Sequence, residues 1–143
     1  KNQLLGVYNM EMARLYNYLL QRTDRKFAII HSLDGYDEIS LTGDTKVITN
    51  EGERMYAANQ LGKRLVMPES IKGGATVAES ADIFLSILKG KGTWSQNAVV
   101  LANSAMALFS TGKYASYEEC YQLAVESLES GKALNVLQKL TNA

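Results

Sequence analysis

The chain has 143 residues, 46% of them hydrophobic and 21% charged, the composition of one soluble globular domain that can bury a core. Fifteen basic and fifteen acidic side chains cancel, so no overall field draws the chain to nucleic acid or to an anionic membrane. One cysteine, Cys120, excludes an internal disulfide and a thiolate metal cluster, and one histidine, His31, excludes a multi-histidine zinc site.

The opening "KNQLLGVYN" lacks the apolar core and small-residue cleavage site of a signal peptide. No apolar stretch reaches membrane-spanning length, and the expected location is the cytoplasm. "NMEMARLYNYLLQRT" has helical spacing, with Leu15 and Leu19 sharing a face with Tyr8 or Met12 and Asn9 placed to cap. "KFAIIHS" is short, rich in Ile and Phe and bounded by polar residues, which predicts a strand buried on both faces. A helix feeding such a strand implies layered α/β architecture. "EISLTGDTKVITNEGERMYA" reads as short strands, with a β-hairpin turning at "NEG". "LGKRLVMPES" reads as irregular, because Pro68 disfavours helix at Met67.

The second half is helical and well punctuated. Thr76 with Glu79, Thr93 with Gln96 and Ser116 with Glu119 have capping-box spacing, and each pair opens an apolar-periodic run. Gly90, Gly112 and Gly131 stand where those runs stop, as left-handed C-terminal caps require. A last short helix is expected over "KALNVLQKL". The predicted fold class is α/β, a sheet of buried strands plus a β-hairpin, flanked by about five helices.

Chemistry concentrates in "HSLDGYDEISLTG", where Asp34, Asp37 and Glu38 surround Gly35 directly after the predicted strand. Ligands of open α/β sheets gather at the carboxyl ends of strands. Adjacent Asp37 and Glu38 are hard oxygen donors of the kind that hold Mg²⁺ together with substrate phosphates. Gly35 can take a backbone conformation closed to other residues and turn the acids inward. On these residues alone a solvated turn with capping acids is the stronger reading. His31 is better read as a hydrogen-bonded histidine at a strand end than as a base or ligand. Cys120 lies on an i, i+4, i+8 core stripe with Ala124 and Leu128, which favours a buried, inert thiol. "KGG" at Lys72–Gly74 precedes a helix start but lacks P-loop spacing, so an ordinary turn is the better reading. The scattered tyrosines form no nucleic-acid platform.

"QLLGVYN", "IIHSLDGYDEISLTG", "NAVVLANSAMAL" and "YEECYQLAVESLESGKALNVLQKL" together resemble the C-terminal half of the anthranilate phosphoribosyltransferase family, in order and in separation, through nearly the whole chain. The stretch around Asp34–Glu38 is the most specific part, although Tyr36 replaces a leucine usual inside the acidic motif. The family transfers phosphoribosyl from phosphoribosyl diphosphate to anthranilate in tryptophan biosynthesis and requires Mg²⁺. The resemblance implies that Asp37 and Glu38 bind the metal that accompanies the diphosphate, and it reverses the preference for a capped turn. It carries no catalytic role to His31 or Asp34.

The resemblance also implies the C-terminal part of a nucleoside phosphorylase/phosphoribosyltransferase-like two-domain fold. Residues 1–143 are then the C-terminal α/β portion of a larger enzyme. The family's glycine-rich phosphate loop, its Lys-His-Gly-Asn segment, its anthranilate contacts and its N-terminal helical dimer region lie upstream of "QLLGVYN" and do not occur in these residues. The expected intact enzyme is a homodimer with no nucleic-acid or membrane partner, and the isolated chain is expected to be inactive. A nucleoside phosphorylase-like or nucleic-acid-binding paralogue, and a non-catalytic module whose acids only cap structure, are the competing readings.

Overall fold

The computed structural model describes residues 1–142. Strands β1 (Asn2–Gly6), β2 (Lys26–Ser32), β3 (Thr45–Thr49) and β4 (Gly52–Tyr56) form one sheet in that order. Helix α1 (Met10–Leu20) links β1 to its parallel neighbour β2, a βαβ unit. β3 runs antiparallel to β2, and β4 returns antiparallel to β3 through a turn at Asn50 and Glu51. The hairpin and the strand "KFAIIHS" are thus where the sequence places them.

Side-chain alternation explains why β2 is apolar throughout. Phe27 and Ile29 face α1, in a cluster with Val7, Ala13, Leu20 and Ile48. Ala28 and Ile30 face the other way, against Val47, Ala102 and Met106. Each large aliphatic or aromatic side chain so buried stabilises the fold by about 1.5–3 kcal/mol.

After the hairpin come α2 (Ala58–Gly62), a 3-10 turn (Pro68–Ile71), α3 (Val77–Leu88), α4 (Trp94–Phe109), α5 (Tyr117–Glu129) and α6 (Lys132–Thr141). Thr76, Thr93 and Ser116 each accept a hydrogen bond from the backbone N–H three residues on, as their spacing predicts. Gly90, Gly112 and Gly131 all have positive φ. The face of α4 toward the sheet carries Ala98 and Ala102, small enough for close approach. Cys120, Ala124 and Leu128 are buried as one stripe, Cys120 packing with Ala105 against α4.

The structure corrects four expectations. β1 is a strand, held by register with β2, where the sequence reading placed no element. "EISLT" forms no strand; Ile39 and Leu41 are buried from a loop instead. A short helix, α2, takes in Leu61 and Gly62 of the stretch read as irregular, and Pro68 starts a 3-10 turn, where its fixed φ suits a first helical position. Asn9 caps α1 as expected, but Leu15 and Leu19 lie on its outer face, 50% and 51% exposed, while Ala13 and Leu20 face the sheet.

Candidate functional site

β2 ends at Ser32, and the chain turns at once. Ser32 N–H donates to the Tyr36 carbonyl at 3.0 Å, and Gly35 N–H donates to the Ser32 carbonyl at 2.9 Å. Gly35 has φ +95°, a region that disfavours side chains, so glycine permits this turn. The loop returns to the sheet at Thr45.

The three acids divide by environment. Asp34 is structural: its carboxylate accepts from Ser40 Oγ at 3.2 Å and from Thr42 Oγ1. Asp37 and Glu38 are exposed, and among the described residues no cation pairs with them. The ion pairs among those residues are Lys46–Glu53 and Lys132–Glu126. Partial burial and the neighbouring Asp37 carboxylate hold the Glu38 carboxyl above the usual carboxylate range. The Asp37 carboxylate thus acts on its neighbour Glu38.

Three elements grip the three consecutive peptide groups here. At Asp37 the close neighbour is β1: a Cβ on Gly6 would stand 1.5 Å from the Asp37 carbonyl oxygen, so only glycine fits. The Glu38 carbonyl accepts from Ser32 Oγ of β2 at 2.6 Å. Asn103 of α4 binds both polar groups of Ile39, accepting from its N–H at 3.0 Å and donating Nδ2 to its carbonyl at 2.9 Å. Further on, Leu41 is fully buried with φ +59°, which costs a non-glycine residue about 1–2 kcal/mol. It packs where a Cβ on Gly62 would clash, and its carbonyl accepts from Val66 N–H at 2.8 Å.

The other candidates resolve as structure. His31 is buried, and its Nδ1 lies 2.9 Å from the Val7 carbonyl, so that nitrogen is the donor. Burial and the nearby Glu119 charge push the Cys120 thiol up, which keeps it protonated and inert. At the start of α3, Glu79 accepts from Ala75 N–H at 2.7 Å, so a side chain of the protein already occupies the turn after Lys72–Gly74. A cavity of about 530 Å³ lined by Lys26, Asn50, Arg54, Met106 and Phe109 lies at the start of β2, the opposite end of the sheet from the acids. Sequence reasoning missed Asn103, Ser32 and Gly6. Asn103 had a legible signal, a polar residue one position from Ala102 on the packed side of α4.

Chemically, Asp37 and Glu38 could supply two hard oxygen ligands from a held backbone. No group of three or more His, Cys, Asp or Glu side chains among the described residues could hold a metal ion. A carboxylate pair instead fits Mg²⁺, which binds through one or two carboxylates when phosphates and water complete its shell.

The fold and the loop define an α/β domain with an acidic loop at the carboxyl end of a central sheet strand. The chain belongs to the glycosyl transferase family, a/b domain, whose model matches residues 1–134. Among curated relatives, the anthranilate phosphoribosyltransferase of Flavobacterium johnsoniae is 54% identical over 140 residues, covering 98% of this chain and 42% of that protein. That of Bacteroides thetaiotaomicron is 46% identical over 137 residues, covering 96% and 41%. The chain therefore spans about two-fifths of the length of these relatives. Among solved structures, anthranilate phosphoribosyltransferase from Thermus thermophilus superposes with TM-score 0.81 at 29% identity, over 94% of this chain and 40% of that one. The Saccharomyces cerevisiae enzyme in complex with PRPP and Mg has TM-score 0.85 at 24% identity, over 96% and 39%, a likeness of fold.

Proposed function

We propose that residues 1–143 are the C-terminal α/β portion of an anthranilate phosphoribosyltransferase, in which Asp37 and Glu38 hold the Mg²⁺ that accompanies phosphoribosyl diphosphate. The observation that carries this reading is the division of the acids. Asp34 is spent on the loop, while Asp37 and Glu38, adjacent and exposed, have no cation partner among the described residues. Likeness to curated anthranilate phosphoribosyltransferases over 98% of the chain supports the choice of substrates, phosphoribosyl diphosphate and anthranilate, and a place in tryptophan biosynthesis.

When bound, Mg²⁺ offsets charge on the diphosphate that leaves C1 of the ribose. The chain's own residues orient and position. Asp37 and Glu38 offer carboxylate oxygens, and Ser32, Gly6 and Asn103 fix the peptide groups that carry them. The reading includes a cytoplasmic homodimer whose dimer contact lies outside this chain. No helix among the described residues is long and apolar enough to cross a membrane. The acid pair favours a metal diphosphate over the substrates of a nucleoside phosphorylase, and the zero net charge gives no support to nucleic-acid binding.

Holding two substrates together supplies much of such a rate, and a chain of two-fifths the relatives' length lacks most of the pocket. Consumption of anthranilate with phosphoribosyl diphosphate and Mg²⁺ is expected from the gene product that contains this chain and not from residues 1–143 alone. Turnover by the isolated chain, or no turnover of anthranilate by the longer product, would contradict the proposal.

A further inference from the structure

We infer that Asn103 is a positioning residue for the metal-binding carboxylates, an inference that rests on the proposed role of Asp37 and Glu38. Asn103 sits on α4, 64 residues from the loop it holds. Its amide meets both the N–H and the carbonyl of Ile39, as a neighbouring strand would, at a place where the chain has left the sheet. A second bond from Nδ2 to the Val99 carbonyl at 2.9 Å, one turn back on α4, fixes the side chain's own direction. The alanines of α4 bring the helix close enough for so short a side chain to reach.

The consequence follows from charge. Asp37 and Glu38 are adjacent carboxylates on an exposed turn, and like charges on a loop free to move turn apart. Ile39 is the next residue, and its side chain is fully buried. Asn103 fixes the peptide groups on either side of that anchor, so the Glu38 side chain leaves a backbone that cannot rotate away. Asn103 therefore acts on metal affinity without touching metal or substrate. A side chain that served stability alone would change the melting temperature and leave the metal's affinity as it was.

The test uses the isotope-labelled gene product that contains this chain, Mn²⁺ with inorganic diphosphate as probe, and proton–nitrogen correlation NMR, well below the melting temperature of every variant. In the parent, amides around Asp37 and Glu38 broaden first, and the Asp37→Asn/Glu38→Gln double variant abolishes that selectivity. In Asn103→Ala, the Mn²⁺ concentration at half-broadening rises about fivefold, in line with the loss of two hydrogen bonds that order the loop. If Asn103→Ala does not fold, Asn103→Gln replaces it, because it keeps the amide and carries it one methylene too far. Selective broadening in the parent with an unchanged midpoint in the folded Asn103 variant overturns the positioning role and leaves the metal reading standing. Absence of selective broadening in the parent overturns both.

Discussion

Removing the Asp37 charge changes the energetics of Glu38 before any metal is present. Glu38 titrates above the ordinary carboxylate range in the folded chain because of partial burial and the Asp37 carboxylate beside it. Between its unfolded and folded values, the native chain keeps a proton that the unfolded chain has released. The stability this group contributes is thus full below the ordinary carboxylate value and is lost as pH rises through the raised folded value. Once Glu38 loses its proton, the Asp37 carboxylate beside it repels it. Asp37→Asn is expected to leave the metal-free stability at neutral pH unchanged or slightly higher, by about 0.2–1 kcal/mol for so solvated a pair. Thermal melts of parent and variant from acid to neutral pH check this, with the gap opening as pH rises. A variant that melts well below the parent at neutral pH would show that Asp37 stabilises the loop. At this scale the sequence was legible for the acids and for Gly35, whose chemistry is local. It was not legible for Gly6, because only the fold brings β1 against the Asp37 carbonyl.

Helix caps were readable because a cap is a contact between residues three apart. Elements that answer to distant partners were not. β1 is short and borders the sheet, and its strand state depends on pairing with β2 across the whole of α1. "EISLT" has strand composition, yet Asn103 and Asp34 claim its polar groups and Leu41 turns it with positive φ. The face of α1 was misassigned because Ala13, small and fully buried, outweighs Leu15 and Leu19 only once the sheet is in place. Helix α5 supplies the clearest test of such long-range contacts. The Tyr117 hydroxyl meets the Leu61 carbonyl of α2 at 2.8 Å and the Ala102 carbonyl of α4 at 3.1 Å. Burial pushes that phenol far above its usual value, so it remains a donor at any working pH. Tyr117→Phe leaves both carbonyls without this donor and should lower stability by about 1–2 kcal/mol, read as a lower midpoint in urea with an unchanged slope. An unchanged midpoint would show that water replaces the hydroxyl at no cost.

On the scale of the whole molecule, the sheet carries a core on each face, with α1 on one side and α2 and α4 on the other. That arrangement leaves residues 33–38, at the carboxyl end of β2, open to solvent. Three elements remote from each other in sequence then fix Asp37, Glu38 and Ile39 on that open end. The fold class was legible because it follows from periodicity and caps, and the acid pair because two adjacent carboxylates after a buried strand are visible in the chain. How the pair is held was not, since its supports come from β1, β2 and α4 together. The central claim is that these two carboxylates hold the metal of a phosphoribosyl transfer. Its most direct test is a Mg²⁺ titration of anthranilate phosphoribosylation by the gene product containing this chain, for the parent and for Asp37→Asn and Glu38→Gln. Each variant should need more Mg²⁺ for half-maximal rate, corresponding to about 1–3 kcal/mol of weaker metal binding, with partial recovery at high Mg²⁺. An identical Mg²⁺ dependence in parent and both variants would contradict the account and reduce the pair to a solvated turn.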